Sequence, residues 1–254
     1  MNSKSSPSFA DLHSPIQPTD GKLRPEKIPS LVGLFLRRAL KRGQKYVLIL
    51  EATPPLLPPK VSQVELNSPA YKNVQFMKDG TGPLFFKRYS LSIYGSLELA
   101  LGLMRKIQAD PNLVAPRALA YYRKTKGSPE NLSLGDEFFI EMTGPWNGPV
   151  RTVEVRPNSF RFVTLNGHME AGQIEIEFRT GRKPGVFTFE IKSWARSRDG
   201  SVDFFYDTLK LAQLMQAEMW SGFLEKTAEL AGGKASKNVL IETQRNDTVL
   251  SLGM

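Results

Sequence analysis

Apolar residues recur in two rhythms along this chain, and the changes of rhythm mark its elements. From Leu84 the period is two. Phe85, Lys87, Tyr89, Leu91 and Ile93 alternate with Phe86, Arg88, Ser90 and Ser92, which predicts a strand. The spacing then shifts to three and four. Ser96 is placed to cap a helix through Ile107, with Leu97, Ala100, Leu101, Met104 and Ile107 on its apolar face. Asp110-Pro111 stops that helix, and a second helical piece is expected near Ala115 to Arg123, presenting Leu119 and Tyr122. Alternation returns at Glu137 to Met142. It continues through Val150–Val155, Phe160–Leu165, Gln173–Phe178 and Val186–Ser193. Asn147-Gly148, Pro157-Asn158 and the run Gly181 to Gly185 fall between these segments as turns, so the series reads as an antiparallel meander. Phe205, Leu209, Ala212, Met215, Met219, Phe223 and Leu230 then define a long helix from about Asp203 to Ala231. Twenty-nine helical residues span roughly 43 Å, enough to cross a sheet. Gly232-Gly233 ends it.

The flanking segments read differently. Residues 1–30 are rich in Ser and Pro and poor in large apolar residues, so a disordered arm is expected. Ser30 is placed to cap a short helix from Leu31 to Arg42, with Leu31, Leu34 and Phe35 on one side and Arg37, Arg38, Lys41 and Arg42 in its last turns. Tyr46 to Leu50 reads as a short buried strand, and Pro54-Pro55 with Pro58-Pro59 makes a stiff link after it. Beyond residue 233 only Val239–Ile241 and Val249–Leu252 are apolar, which fits either a tail or a strand at a sheet edge.

This order implies an α+β fold: a curved antiparallel sheet closed by a long C-terminal helix, with an N-terminal basic extension. It is the order of the START-like, or helix-grip, fold. The expected division is a disordered arm at 1–30, a basic helix and proline-rich extension at 31–80, a helix-grip domain at 81–233 and a C-terminal tail at 234–254. A sheet and helix packed this way enclose space in which a small apolar ligand can sit.

One stretch carries a family resemblance. The run from Val163 to Phe178, with Thr164-Leu165, Gly167-His168, Gly172 and the Glu-bearing strand to Phe178, resembles the signature of the uncharacterised domain-of-unknown-function 1990 family. Phe187 to Ser193 is similar to that family's next strand, and Gln216 and Trp220 lie in a helix similar to its closing helix. The resemblance covers about residues 130–233. This chain has Gln173 where that family often has Glu. The resemblance implies a START-like fold and a candidate site, and no reaction.

Composition narrows the chemistry. The chain has 254 residues, no Cys and two His, His13 and His168. Disulfides, thiolate chemistry and multi-histidine metal sites are thereby excluded. The net charge of +9 is concentrated: residues 21–60 carry nine Lys/Arg against two Glu. That segment suits an anionic surface, and Arg37, Arg38, Lys41 and Arg42 are its candidate contacts; the alternative is that its apolar face docks on the main domain. No zinc-finger spacing, RNA-binding aromatic motif, phosphate loop, dinucleotide glycine fingerprint or nucleophile elbow occurs, so neither nucleic acid nor a cofactor is expected. No apolar stretch approaches the ~20 residues that span a bilayer. A cytoplasmic location, peripheral to a membrane if the basic segment engages one, is the expectation.

His168 and Glu170 are the candidate acid/base residues. Period-two alternation puts Thr164, Asn166, His168 and Glu170 on one side, and imidazole titrates near neutrality. The simpler reading makes His168 a turn residue beside Asn166-Gly167. Glu175 and Glu177 read as a solvated strand face, and Glu190 with Lys192 as a surface charge pair. Trp194, Met215, Met219 and Trp220 are candidate ligand-lining residues that equally suit a core, as does Trp146. Three functions follow: a module binding an apolar or amphipathic small molecule, which is preferred; an enzyme using His168 and Glu170 in the same cavity; or an interaction protein with a filled core.

Overall fold

The fold was obtained as a computed structural model that describes residues 46–51, 72–142, 147–181, 183–199 and 206–246. The basic segment with Arg37, Arg38, Lys41 and Arg42 lies outside these residues, as does Trp146. Nine strands form one sheet: β1 (Tyr46–Glu51), β2 (Thr81–Tyr94), β3 (Ala120–Lys126), β4 (Glu137–Met142), β5 (Gly148–Arg156), β6 (Ser159–Thr164), β7 (Glu170–Thr180), β8 (Val186–Ser197) and β9 (Val239–Asn246). Among the described residues two α-helices accompany it, α1 (Leu97–Ala109) and α2 (Tyr206–Leu230). The architecture is α+β with an antiparallel sheet, as the alternation implied. Its strand order is β1-β9-β2-β8-β7-β6-β5-β4-β3, and only β1, parallel to β9, departs from antiparallel pairing.

The chain crosses the sheet once and returns. After β2, α1 carries it to the far edge, where β3 begins; β3 to β8 then run back strand by strand until β8 pairs with β2, Tyr89 opposite Ile191. Ser96 caps α1 by accepting the Leu99 N–H at 3.2 Å. Its buried stripe is Ala100, Leu103, Met104 and Ile107, while Leu97 stands exposed. The i, i+3, i+4, i+7 set that includes Leu103 therefore replaces the expected set that included Leu97.

Two expectations fail. The helical piece near Ala115 to Arg123 is instead a turn followed by β3. Ala120 and Tyr122 face in and Tyr121 and Arg123 face out, and the strand pairs with β4. Asn112 reinforces it, its side chain bonding both the N–H and the carbonyl of Tyr122. A partner strand 20 residues away decides this segment, and no local period can report that. The part of the segment after residue 233 that is described, to Asn246, is not a tail or an edge, and Val249–Leu252 lie outside the described residues. Val239–Asn246 form β9, which lies between β1 and β2 and pairs with both. The sheet therefore draws in residues on both sides of the expected 81–233 domain. Gly232 and Gly233, both with positive φ, end α2 and let the chain turn back into β9.

One large core lies on the helix-bearing face of the sheet. Tyr89, Leu91 and Ile93 of β2, Phe160 and Phe162 of β6, Ile176 and Phe178 of β7, and Phe187, Phe189 and Ile191 of β8 join the buried residues of both helices there. Phe178 and Phe189 stack with centroids 4.4 Å apart, and Phe223 of α2 lies 6.2 Å from Phe189. The opposite face is charged but not fully solvated. Glu175 and Glu190 are buried. Lys192 pairs with Glu177 and, at 3.5 Å, with Glu175, and Arg88 pairs with Glu242. The expected exposed carboxylates and the isolated Glu190–Lys192 pair are thus parts of one cross-strand ladder. Removing one member would strand its partner's charge in a poorly hydrated position.

Candidate functional site

Between α2 and the part of the sheet carrying β3 to β8 lies a cavity of about 60 Å³. Its walls are mostly apolar: Ile140, Val150, Phe162, Ile174, Met219 and Trp220 line it. Polar groups enter from few places. Tyr122 comes from β3, Thr164 from β6, His168 from the β6–β7 turn, Glu170 and Gln173 from β7, Ser193 from β8, and Gln216 from α2.

The β6–β7 turn is built to present His168. Asn166 and Gly167 form the turn and are exposed, but His168 folds back and is only 8% exposed. Its N–H bonds the Leu165 carbonyl at 3.0 Å, so it closes the turn as the simpler reading had it, with its ring buried and not on one strand face with Asn166. Gln75 straps the turn, donating from Nε2 to the carbonyls of His168 (3.0 Å) and Glu170 (2.8 Å). Thr164 Oγ1 accepts the Gly172 N–H at 2.9 Å and faces the Gln75 carbonyl at 3.1 Å. Gly148, expected in a turn with Asn147, instead opens β5. It lies so close to the imidazole that a Cβ there would fall 2.2 Å from His168 Cδ2. Only a residue without a side chain leaves room for the ring.

The electrostatics follow from this enclosure. The Glu170 N–H lies 2.9 Å from His168 Nδ1 and donates to it, so the neutral ring carries its proton on Nε2. Burial holds the imidazole below its ordinary range, opposed by the Glu170 charge and backbone. The Glu170 carboxylate accepts from Gln216 Nε2 at 2.6 Å. Gln216 Oε1 in turn accepts from Lys87 Nζ at 2.7 Å. Lys87 is half-buried and its amine is held by Gln216. Lost hydration lowers its pKa, and Glu170 works against that shift. Burial pushes the pKa of Tyr89 and Tyr122 up, for Tyr89 with help from the Glu170 charge, so both phenols stay protonated. The Tyr122 hydroxyl is buried and has no hydrogen-bond partner among the described residues.

The anticipated residues divide. His168, Glu170, Met219 and Trp220 meet at one cavity. Met215 does not line it; it is 1% exposed within the main core. Trp194 is on the other side of the sheet, its ring 5.3 Å from Phe86 and packed with Leu84. The cause is strand parity: in β8, Ser193 and Ala195 face the cavity, so Trp194 between them must face away. Tyr122, Gln216, Lys87 and Gln75 were missed as site residues. Tyr122 was read on a helix, and the other three are brought in by pairings over 90 residues or more. Among the described residues no group of three or more acidic or His side chains is placed to hold a metal ion. No helix there is long and apolar enough to cross a membrane.

No family model matches the chain, and no curated protein matches it. Among solved structures it is similar to the di-domain ARO/CYC StfQ from the steffimycin biosynthetic pathway. That match has 13% identity and a TM-score of 0.45 and covers 62% of this chain and 52% of StfQ, so the chain spans about half of StfQ's length. It is also similar to KanY, at 12% identity and TM-score 0.43, covering 61% of this chain and 99% of KanY. A third similar structure is a protein from Thermobifida fusca, at 11% identity and TM-score 0.41, covering 57% of this chain and 94% of the other.

Proposed function

We propose that this protein is a small-molecule-binding module of helix-grip architecture, its ligand held between the sheet and α2. One observation carries the reading: a cavity with mostly apolar walls contains a small set of polar groups, among them buried Tyr122 and His168 and half-buried Glu170 and Gln216. That combination is what a ligand site needs, with area for affinity and few polar groups for orientation. A filled core has no use for it, because buried polar groups cost stability unless paired.

Size limits the ligand. At about 60 Å³ the cavity has room for roughly four waters, against ~300–1,000 Å³ in typical drug-sized sites. It therefore encloses a small ring, or the end group of a longer amphipathic molecule. Binding is favoured over acid/base catalysis by one detail. The Glu170 carboxylate is hydrogen-bonded by Gln216 and reaches His168 through its charge, while the hydrogen bond to the imidazole comes from its backbone N–H, so no side-chain hydrogen bond joins the two as a proton relay.

Native mass spectrometry of the purified full chain tests the reading, together with titration of its methionine methyls by NMR. The expected result is a small-molecule adduct on the native protein, or selective shifts of the Met142 and Met219 methyls on adding small cyclic compounds. An adduct-free protein whose Met142 and Met219 methyls ignore cyclic ketones, alkenes and phenols alike would refute it.

A further inference from the structure

The polar groups of the cavity are not equally committed. Thr164 Oγ1 is engaged by Gly172 and Gln75. Glu170 Oε1 is occupied by Gln216, and Gln216 Oε1 by Lys87. Ser193 and Gln173 also line the wall, and two further donors there stand out. Tyr122 is 4% exposed and lines the cavity, and its hydroxyl is buried with no partner among the described residues. His168 uses Nδ1 to accept the Glu170 N–H, which leaves a proton on Nε2; among the described residues no hydrogen bond is made there. Both are donors that an acceptor on a ligand could meet.

We infer that the cavity takes a neutral carbonyl compound whose oxygen accepts from the Tyr122 hydroxyl and His168 Nε2–H. The inference rests on the cavity being a ligand site. A carbonyl oxygen offers two lone pairs and can meet both donors while the rest of the ligand stays apolar. A carboxylate would meet the same donors but would be placed beside the Glu170 carboxylate, which lines the same wall. An ammonium ligand would bring more donors and leave both protein hydrogens unpaired. A hydrocarbon would fill the volume and satisfy neither. Burial keeps both protein groups in their donating forms near neutral pH, because it opposes imidazolium and phenolate alike.

The test is an isosteric pair, cyclopentanone and methylenecyclopentane, which differ only in a carbonyl oxygen against a terminal methylene. Each is titrated into the full chain while the Met142 and Met219 methyls are followed by NMR. Cyclopentanone should bind at least tenfold more tightly, about 1.4 kcal/mol. In Tyr122→Phe that preference should fall below threefold, with alkene affinity unchanged. His168→Gln is the second variant and should also reduce the preference, and circular dichroism establishes that each variant is folded. Equal binding of the two compounds overturns the carbonyl inference while the cavity reading stands. No binding of either compound overturns both. A ketone preference that survives in both variants overturns the assignment of Tyr122 and His168 as its donors.

Discussion

A methyl group at position 148 would occupy space now filled by the His168 ring. A Cβ built on Gly148 falls 2.2 Å from Cδ2, 2.6 Å from Cγ and 2.9 Å from Cα of His168. Ordinary carbon contacts lie near ~3.5 Å, so Gly148→Ala must displace the ring by about 1.3 Å or spread β5 from the β6–β7 turn. Overpacking of this kind costs roughly 1–3 kcal/mol. Moving the ring also breaks the 2.9 Å hydrogen bond from the Glu170 N–H to Nδ1, a further ~0.5–1.5 kcal/mol. The expected destabilisation is about 2–4 kcal/mol, which for a chain of this size lowers Tm by about 4–16 °C. Chemical and thermal denaturation of Gly148→Ala, His168→Ala and the double variant measures it. Truncating the ring removes most of the clash, so the double variant should be more stable than the two single effects predict, with a coupling of at least ~1 kcal/mol. If Gly148→Ala shifts stability by less than about 0.5 kcal/mol, or if the two changes simply add, the imidazole is not held against β5 as described.

Three further outcomes are expected. Tyr122→Phe removes a buried hydroxyl that has no partner among the described residues, so the ligand-free protein should gain about 1 kcal/mol and melt ~2–4 °C higher; a loss of stability would mean that the hydroxyl is bonded. Met219→Asp places a charge at a 3% exposed position between α2 and the cavity and should cost several kcal/mol, whereas Glu229→Ala at an exposed site of the same helix should stay within ~0.5 kcal/mol; near-equal melting of the two would refute the packing of α2 on the sheet. The His168 pKa is depressed in the folded state, so the unfolded chain binds the proton more readily and stability should fall as pH drops through the ordinary histidine value of 6.5. Melting curves from pH 7.5 to 5.5 should show this loss in the wild type and a shallower one in His168→Gln; parallel curves would contradict it.

How far the sequence carried depends on the range of the deciding contact. Strands β2, β4, β5, β6, β7 and β8 and both helices were legible because a sheet with one buried face, or a helix with one buried stripe, imprints its period on neighbouring residues. Ser96 and Gly232-Gly233 were legible for the same reason, since a cap acts within one turn. Strand β3 was not. Tyr121 and Tyr122 suit a helix turn and a strand equally, and only pairing with β4 chooses. Strand β9 was read as a tail or an edge because its short apolar run cannot report neighbours that lie about 150 and 190 residues earlier.

The candidate site divides along the same line. The sequence alone marked His168 and Glu170 as the chemistry beside the β6–β7 turn, and Met219 and Trp220 as apolar residues of the last helix, because residue type and local period suffice for that. Tertiary structure decided everything about how they meet. It turned Trp194 to the opposite face by strand parity and left Met215 in the core. It set Gly148 under the imidazole and gave Glu170 to Gln216 rather than to His168. It also added Tyr122 from the edge strand. Each outcome depends on which strands are neighbours and in what register, and register is set by the summed packing of the whole sheet rather than by the residues that end up in contact.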